Sequence, residues 1–149
     1  MKNLKPIFWI FICVLVPLLT ACPGDDPKVK SKTEMITKNW RVRQVRIANQ
    51  VVYANPAGTT PNTQDFGAYG LHFTSATAFV RTEQNGNSTT RTWQFDDNEN
   101  PTKITFSTGI PSEVKIEPPI TDESLVIFYT TESSKTGPSS YRIELIPAQ

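Results

Sequence analysis

The sequence predicts an all-β fold: about eight antiparallel strands in an up-and-down barrel behind a short N-terminal helix, with a two-sheet β-sandwich as the alternative closure. Three observations predict it. From residue 33 onward the chain is rich in Thr, Val, Ile and aromatic residues, which suit a pleated, half-buried surface. Short runs alternate apolar and polar residues with period two, as in Tyr69-Gly70-Leu71-His72-Phe73. Asn, Gly and many of the chain's 12 prolines separate those runs into mostly short, local turns. A meander of strands leaves two unpaired edges, and closing the sheet on itself removes both.

Taken in order, the chain opens with Lys2 and Lys5, then an apolar run over residues 7–19 that ends in Leu19-Thr20-Ala21-Cys22. A membrane span needs about 20 apolar residues, and this run is shorter. A charged start, a short apolar run and small residues before a cysteine form a secretory leader of the lipobox type. The small residues let a peptidase grip extended backbone, and the cysteine thiol receives the lipid. Residues 1–21 are therefore expected to be a lipoprotein signal peptide and Cys22 the site of lipidation. Stable anchoring takes about two acyl or other membrane signals, which a diacylated cysteine supplies.

Cleavage would remove Cys13 and consume Cys22, leaving a mature chain with no thiol for a disulfide or a cysteine metal site. It would also remove Lys2 and Lys5, taking 15 basic against 14 acidic residues to 13 against 14. A near-neutral chain argues against a nucleic-acid partner. Residues 22–32, with Pro23-Gly24-Asp25-Asp26-Pro27, read as a lipidated flexible tether, and residues 33–149 as the barrel domain. The expected location is the bacterial outer membrane, lipid-anchored, on the cell surface or facing the periplasm. The acidic pair Asp25-Asp26 is either a surface-export signal or solvated linker.

Within the domain, residues 33–38 are expected to form the helix, with Thr33 as its cap and Met35 and Ile36 tucked inward. In the first strand Trp40 and Val42 share a face. Val45 and Ile47 join it only if a bulge falls near Arg43-Gln44. Residues 51–53 form a short extension and residues 54–67 a polar loop. The strand holding Leu71 and Phe73 pairs with residues 77–83 in one of two registers: Ala78 and Val80 inward, or Phe73 opposite Phe79. Asn85-Gly86 marks a hairpin turn with positive φ. Arg91, Trp93 and Phe95 share a face of the next strand, followed by an acidic turn over residues 96–101. Strands around Ile104 and Phe106, Val114 and Ile116, residues 124–131, and Tyr141, Ile143 and Leu145 complete the set, with a turn over residues 133–140 before the last.

Taken together, Lys38-Asn39-Trp40-Arg41-Val42 after a short helix, Leu71-His72-Phe73, Trp93-Gln94-Phe95 before an acidic turn, Ile104-Thr105-Phe106, Ile120-Thr121-Asp122 and Tyr141-Arg142-Ile143-Glu144-Leu145 resemble the small lipocalin-like lipoproteins of Bacteroidota, many of them uncharacterised. The resemblance covers most of residues 33–149 and is one of pattern. Lipocalins carry glycine two places before the first-strand tryptophan, where this chain has Lys38. The resemblance implies a calycin-type barrel and a structural stack of Arg142 on Trp40, a cation–π contact of about 0.5–2 kcal/mol.

Catalytic chemistry is thinly represented. His72 is the only histidine and lies mid-strand, opposite the apolar face, so a Ser-His-Asp triad or a zinc site lacks its partners. The acidic run Asp96-Asp97-Asn98-Glu99-Asn100 carries calcium-type oxygens without the EF-hand spacing and reads as a solvated turn. Arg41, Arg43 and Arg46 crowd the first strand and are expected to be balanced by acids on neighbouring strands. No enzyme, cofactor or metal is expected. The candidate ligand-binding residues are Tyr69, Leu71, Phe73, Arg91, Trp93, Phe95 and Phe106, with Arg91 as a polar anchor that finds Glu113, Glu117 or an anion, or reaches water at the mouth. The expected function is a membrane-anchored, non-enzymatic envelope lipoprotein that binds a small, partly apolar ligand in its barrel. The alternative is a structural or accessory lipoprotein that meets another envelope protein or a surface glycan through exposed loops such as 54–67.

Overall fold

The computed structural model describes residues 28–58, 61–109, 111–132 and 137–149. The leader, Cys22, the first part of the tether and the first half of the 133–140 turn lie outside the described residues. A short helix, α1 (Lys32–Ile36), precedes nine strands: β1 (Asn39–Ile47), β2 (Gln50–Ala54), β3 (Gly70–Phe73), β4 (Ala78–Thr82), β5 (Ser88–Phe95), β6 (Lys103–Phe106), β7 (Glu113–Glu117), β8 (Leu125–Thr131) and β9 (Ser139–Pro147). All strand pairs are antiparallel, and β1 pairs with β9 from Trp40↔Pro147 to Ile47↔Tyr141. Eight strands thus close a barrel, and the sandwich is excluded. The ninth, β2, shares one edge of β1 with β3: Arg41 and its neighbours pair β3, while Gln44 to Ile47 pair β2.

The helix begins earlier than its apolar residues suggest. Ser31, not Thr33, is the cap: Ser31 Oγ accepts from Glu34 N at 3.1 Å and Glu34 Oε2 from Ser31 N at 2.8 Å, a capping box. Met35 is half-buried and Ile36 fully buried, sealing one end of the barrel. The β1 bulge is real. Pairing to β9 shifts between Val42 and Gln44, so Trp40, Val42 and Val45 all face inward while Arg43 and Gln44 both face out.

The β3–β4 hairpin takes the longer loop, with Phe73 opposite Phe79. The turn at Asn85-Gly86 has positive φ at Gly86 alone (83°). Glu83 N donates to Asn87 O and Gly86 N to Glu83 O, which makes a three-residue loop with glycine in the left-handed position. The two-residue turn with both residues left-handed is Ala48-Asn49, between β1 and β2. The outer edge of β2 is covered by the chain that follows: Thr63 N and Gln64 N donate to Val52 O, and Asn62 bridges Ala54 N and O. Residues 62–64 of the long loop therefore cover a strand edge, the second device by which the fold hides unpaired backbone.

The interior is filled by aromatic rings. Phe73 stacks on Phe79 at 5.5 Å and meets Trp93 edge-on at 4.9 Å. Phe79 stacks on Phe106 at 4.7 Å, and Trp93 meets Phe95 edge-on at 5.0 Å. Ile104, Leu125, Ile127, Ile143 and Leu145 complete the core.

Candidate functional site

The two ends of the barrel differ. At the helix end, Trp40 Nε1 donates to Ile36 O at 2.8 Å. Lys38 Nζ reaches both the carbonyl and a carboxylate oxygen of Asp122 at 2.8 Å, and Lys30 Nζ takes the other carboxylate oxygen at 2.8 Å. Hydrogen bonds from Lys30 and then Lys38 hold the Asp122 carboxyl below its usual range. The arm leading into the domain is thereby pinned against the β7–β8 loop. Asp96 and Asp97 of the acidic turn spend their oxygens on neighbouring backbone and on the Thr102 hydroxyl. Asp96 accepts from Thr102 Oγ1, Thr102 N and Lys103 N, and the Thr102 hydroxyl is the main cause holding its carboxyl far below the usual range. Asp97 Oδ1 accepts from Glu99 N and Asn100 N. Among the described residues no group of three or more His, Cys, Asp or Glu side chains is placed to hold a metal ion.

The other end is the mouth, where side chains from β4, β8, β9 and the segment leading into β3 converge. Tyr69 is buried under Phe66 (6.0 Å) and beneath the Arg81 guanidinium (5.7 Å). Arg81 is 8 % exposed and pairs with Glu83 at 3.1 Å. Tyr129 and Tyr141 stack face to face at 4.9 Å with ring planes 4° apart. Phe66, Tyr69, Arg81, Glu83, Tyr129 and Tyr141 enclose an opening of about 110 Å³. Tyr129 and Tyr141 also line an adjoining groove of about 470 Å³ with Glu113, Lys115 and Phe128. The groove exists because β7 pairs β8 only from Lys115↔Phe128 to Glu117↔Val126; nearer the mouth, β8 pairs β9 alone.

Burial raises the Tyr69 and Tyr129 phenols above the ordinary tyrosine value of 10.0. Both are therefore neutral hydroxyls at physiological pH. A raised folded pKa stabilises the fold below the unfolded value and loses that contribution as pH rises through it. An ultraviolet titration should accordingly show two phenols ionising late, above pH 10, together with loss of the fold. Two phenols titrating normally in the folded protein would refute this arrangement.

The sequence-predicted ligand residues separate into two groups. Leu71, Phe73, Trp93, Phe95 and Phe106 are buried and spend their surfaces on one another, with Trp93 Nε1 donating to Ser75 O near the helix end. Trp93 and Phe106 also border a shallow open groove of about 200 Å³ between β5 and β6. Tyr69 is at the mouth. Arg91 rises past the end of β6, half-buried, and donates to Thr108 O at 2.7 Å instead of pairing with Glu113 or Glu117. Gly109 has φ 95°, and a Cβ there would collide with the Arg91 guanidinium. Gly109→Ala is expected to cost about 1–3 kcal/mol through backbone strain and to displace Arg91. A melting curve and the Arg91 side-chain NMR signal check both effects; an unshifted variant would contradict the packing.

The stack of Arg142 on Trp40 is not formed. Tyr141, Ile143 and Leu145 face inward, so alternation turns Arg142 outward while the Trp40 ring points in. Arg142 lies over Phe128 at 5.7 Å and pairs with Glu117 at 2.9 Å and with Glu144. Lys38 Nζ takes the cation's place, 5.4 Å above the Trp40 ring. Nor are Arg41, Arg43 and Arg46 balanced as expected: among the described residues none of the three forms an ion pair, because Glu117 and Glu144 are taken by Arg142. His72 faces out, paired across from Asn39. From sequence Tyr129 stands out only as one of many strand aromatics that could line a pocket, and Arg81 and Tyr141 do not stand out as site residues; their convergence from distant strands marks them.

Among known proteins, a solved structure of a lipocalin-like protein from Bacteroides uniformis is similar to this chain, at 16% identity and a TM-score of 0.42, covering 76% of this chain and 99% of that one. No family model and no curated protein matches.

Proposed function

We propose that this chain is a lipocalin-like envelope lipoprotein, lipidated at Cys22 and non-enzymatic, that binds a small, partly apolar ligand at the mouth of its barrel. The observation that carries the reading is the stacked Tyr129–Tyr141 pair, which forms a wall of both the mouth opening and the adjoining groove. The groove, about 470 Å³, is of the size that small-molecule sites have, roughly 300–1,000 Å³. The hydroxyls of Tyr129 and Tyr141, with Lys115 and Glu113, provide hydrogen-bonding groups beside apolar ring surface. The filled interior leaves ligand recognition to the rim.

The lipobox and the placement of the arm give this reading its orientation. The arm enters at the helix end, opposite the mouth, and Lys28 lies six Cα–Cα steps along the chain from Cys22. At about 3.3–3.6 Å per step, six steps span roughly 20–22 Å at most. An acylated Cys22 would hold the helix end toward the bilayer and turn the mouth away from it. A non-enzymatic role fits the position of His72 on the outer wall, away from the mouth.

Thermal-shift screening of the full chain against lipids, small metabolites and saccharides tests the proposal. Ligands found this way should lose their effect in Tyr141→Ala and keep it in His72→Ala. Ligands indifferent to Tyr141→Ala, or an exhaustive screen without any, would count against the site.

A further inference from the structure

A second surface stands apart from the mouth. The β1 bulge turns Arg43 and Gln44 outward together, so Arg41, Arg43 and Arg46 form one row on the outer wall. From Arg41 to Arg46 the row is about 16 Å long at the usual strand rise. Gln44 Oε1 accepts from Arg46 Nε at 2.9 Å and so orients that guanidinium. The strands on one side of the row, β2, β3 and β4, contain no acidic residue, and His72 is exposed among them. On the other side Glu144 stands opposite Gln44 but is engaged by Arg142. Asp65, in the loop beyond β2, accepts from Gly67 N.

Charge on this protein is therefore segregated. The whole chain is nearly neutral, with 15 basic and 14 acidic residues, yet among the described residues the three arginines of this wall form no ion pair. Near-neutrality argues against a polyanion only when charges are mixed, and here they are not. Guanidinium groups are planar, permanently charged and weakly hydrated, and they bind carboxylates through two parallel hydrogen bonds. The outward residues around them include Asn39, Gln44, His72 and Thr82, which add polar donors and acceptors, with the half-buried Val80 beside His72. The wall lacks the exposed Trp, Phe or Leu that a membrane-docking surface inserts among lipids; Val51 is its one exposed large apolar residue. The row is linear and lies along a strand.

We infer that the outer wall of β1 binds a linear acidic polysaccharide, its carboxylates held by Arg41, Arg43 and Arg46. This surface is independent of the mouth site, so either can fail without the other.

The test is affinity of the full chain, kept in a neutral detergent, for polygalacturonate at low ionic strength, with dextran as the uncharged control. Binding to polygalacturonate alone is expected. The triple variant Arg41→Gln/Arg43→Gln/Arg46→Gln should lose about tenfold or more in affinity. The variant Lys28→Gln/Lys30→Gln/Lys103→Gln, of equal net charge, should lose little. Unchanged melting temperatures in both triples guard against a folding artefact, and single Arg→Gln variants replace a triple that melts early. No binding, or equal losses in the two triples, would overturn the inference. So would arginine-dependent binding to phosphatidylglycerol vesicles without binding to polygalacturonate, which would assign the wall to a membrane surface.

Discussion

Replacing Phe79 by alanine is expected to cost about 3–5 kcal/mol of stability, the usual range for deleting a buried phenylalanine ring. Its side chain has no solvent exposure and is stacked against Phe73 at 5.5 Å and Phe106 at 4.7 Å. Those rings in turn meet Trp93 and, through it, Phe95. Domains of this size are stable by about 5–15 kcal/mol, so the loss takes a large share of the total. The size of the effect reports on what the interior is. In a solid core, removing one ring leaves a void that its neighbours fill only in part. In a hollow barrel the same ring would line an existing space, and its loss would enlarge that space at smaller cost. Urea unfolding should give a sharply lowered midpoint with little change in slope. A loss under about 1 kcal/mol would mean the rings surround a void.

Substituting serine for Cys22 is expected to abolish membrane attachment outright. Each buried methylene contributes about 0.8 kcal/mol to anchoring, so losing the acyl chains removes nearly all of the binding energy. Among the described residues no helix is long and apolar enough to cross a membrane in their place. Cells labelled with radioactive palmitate should incorporate label into the native protein and none into Cys22→Ser, and the variant should leave the membrane pellet. Label retained by the variant, or never acquired by the native protein, would contradict lipidation at this position. The domain itself should be unaffected, since its described contacts begin at Lys28.

Much of the fold was legible because strand physics is local. Trp40, Val42, Val45 and Ile47 cannot share a face without an extra residue between the pairs, so the spacing itself announces the bulge. Alternation in Tyr141-Arg142-Ile143-Glu144-Leu145 likewise dictates which residues enter the core, and it was enough to turn Arg142 away from Trp40. The capping box Ser31-Lys32-Thr33-Glu34 was also readable, but placing residues 31–32 in the tether hid it. The Ala48-Asn49 turn was less accessible. It has no glycine, and its left-handed residues follow from the closeness of β1 and β2. The mouth was the least legible part. Arg81, Tyr129 and Tyr141 each occupy an ordinary inward position on their own strands, and Tyr69 lies just before β3. Only barrel closure and the parting of β7 from β8 bring them to one end beside an open groove. Aromatic richness alone marked Phe73, Trp93 and Phe106 as lining, when they are filling.

The most direct test of recognition at the rim is an NMR titration of the folded chain with a mixed library of aromatic, lipidic and saccharide fragments. Shifts concentrated at Tyr69, Arg81, Tyr129 and Tyr141, with the Trp93 indole unmoved, are the predicted result. Strong shifts at Trp93, Phe73 and Phe106 without movement at the two stacked tyrosines would contradict it.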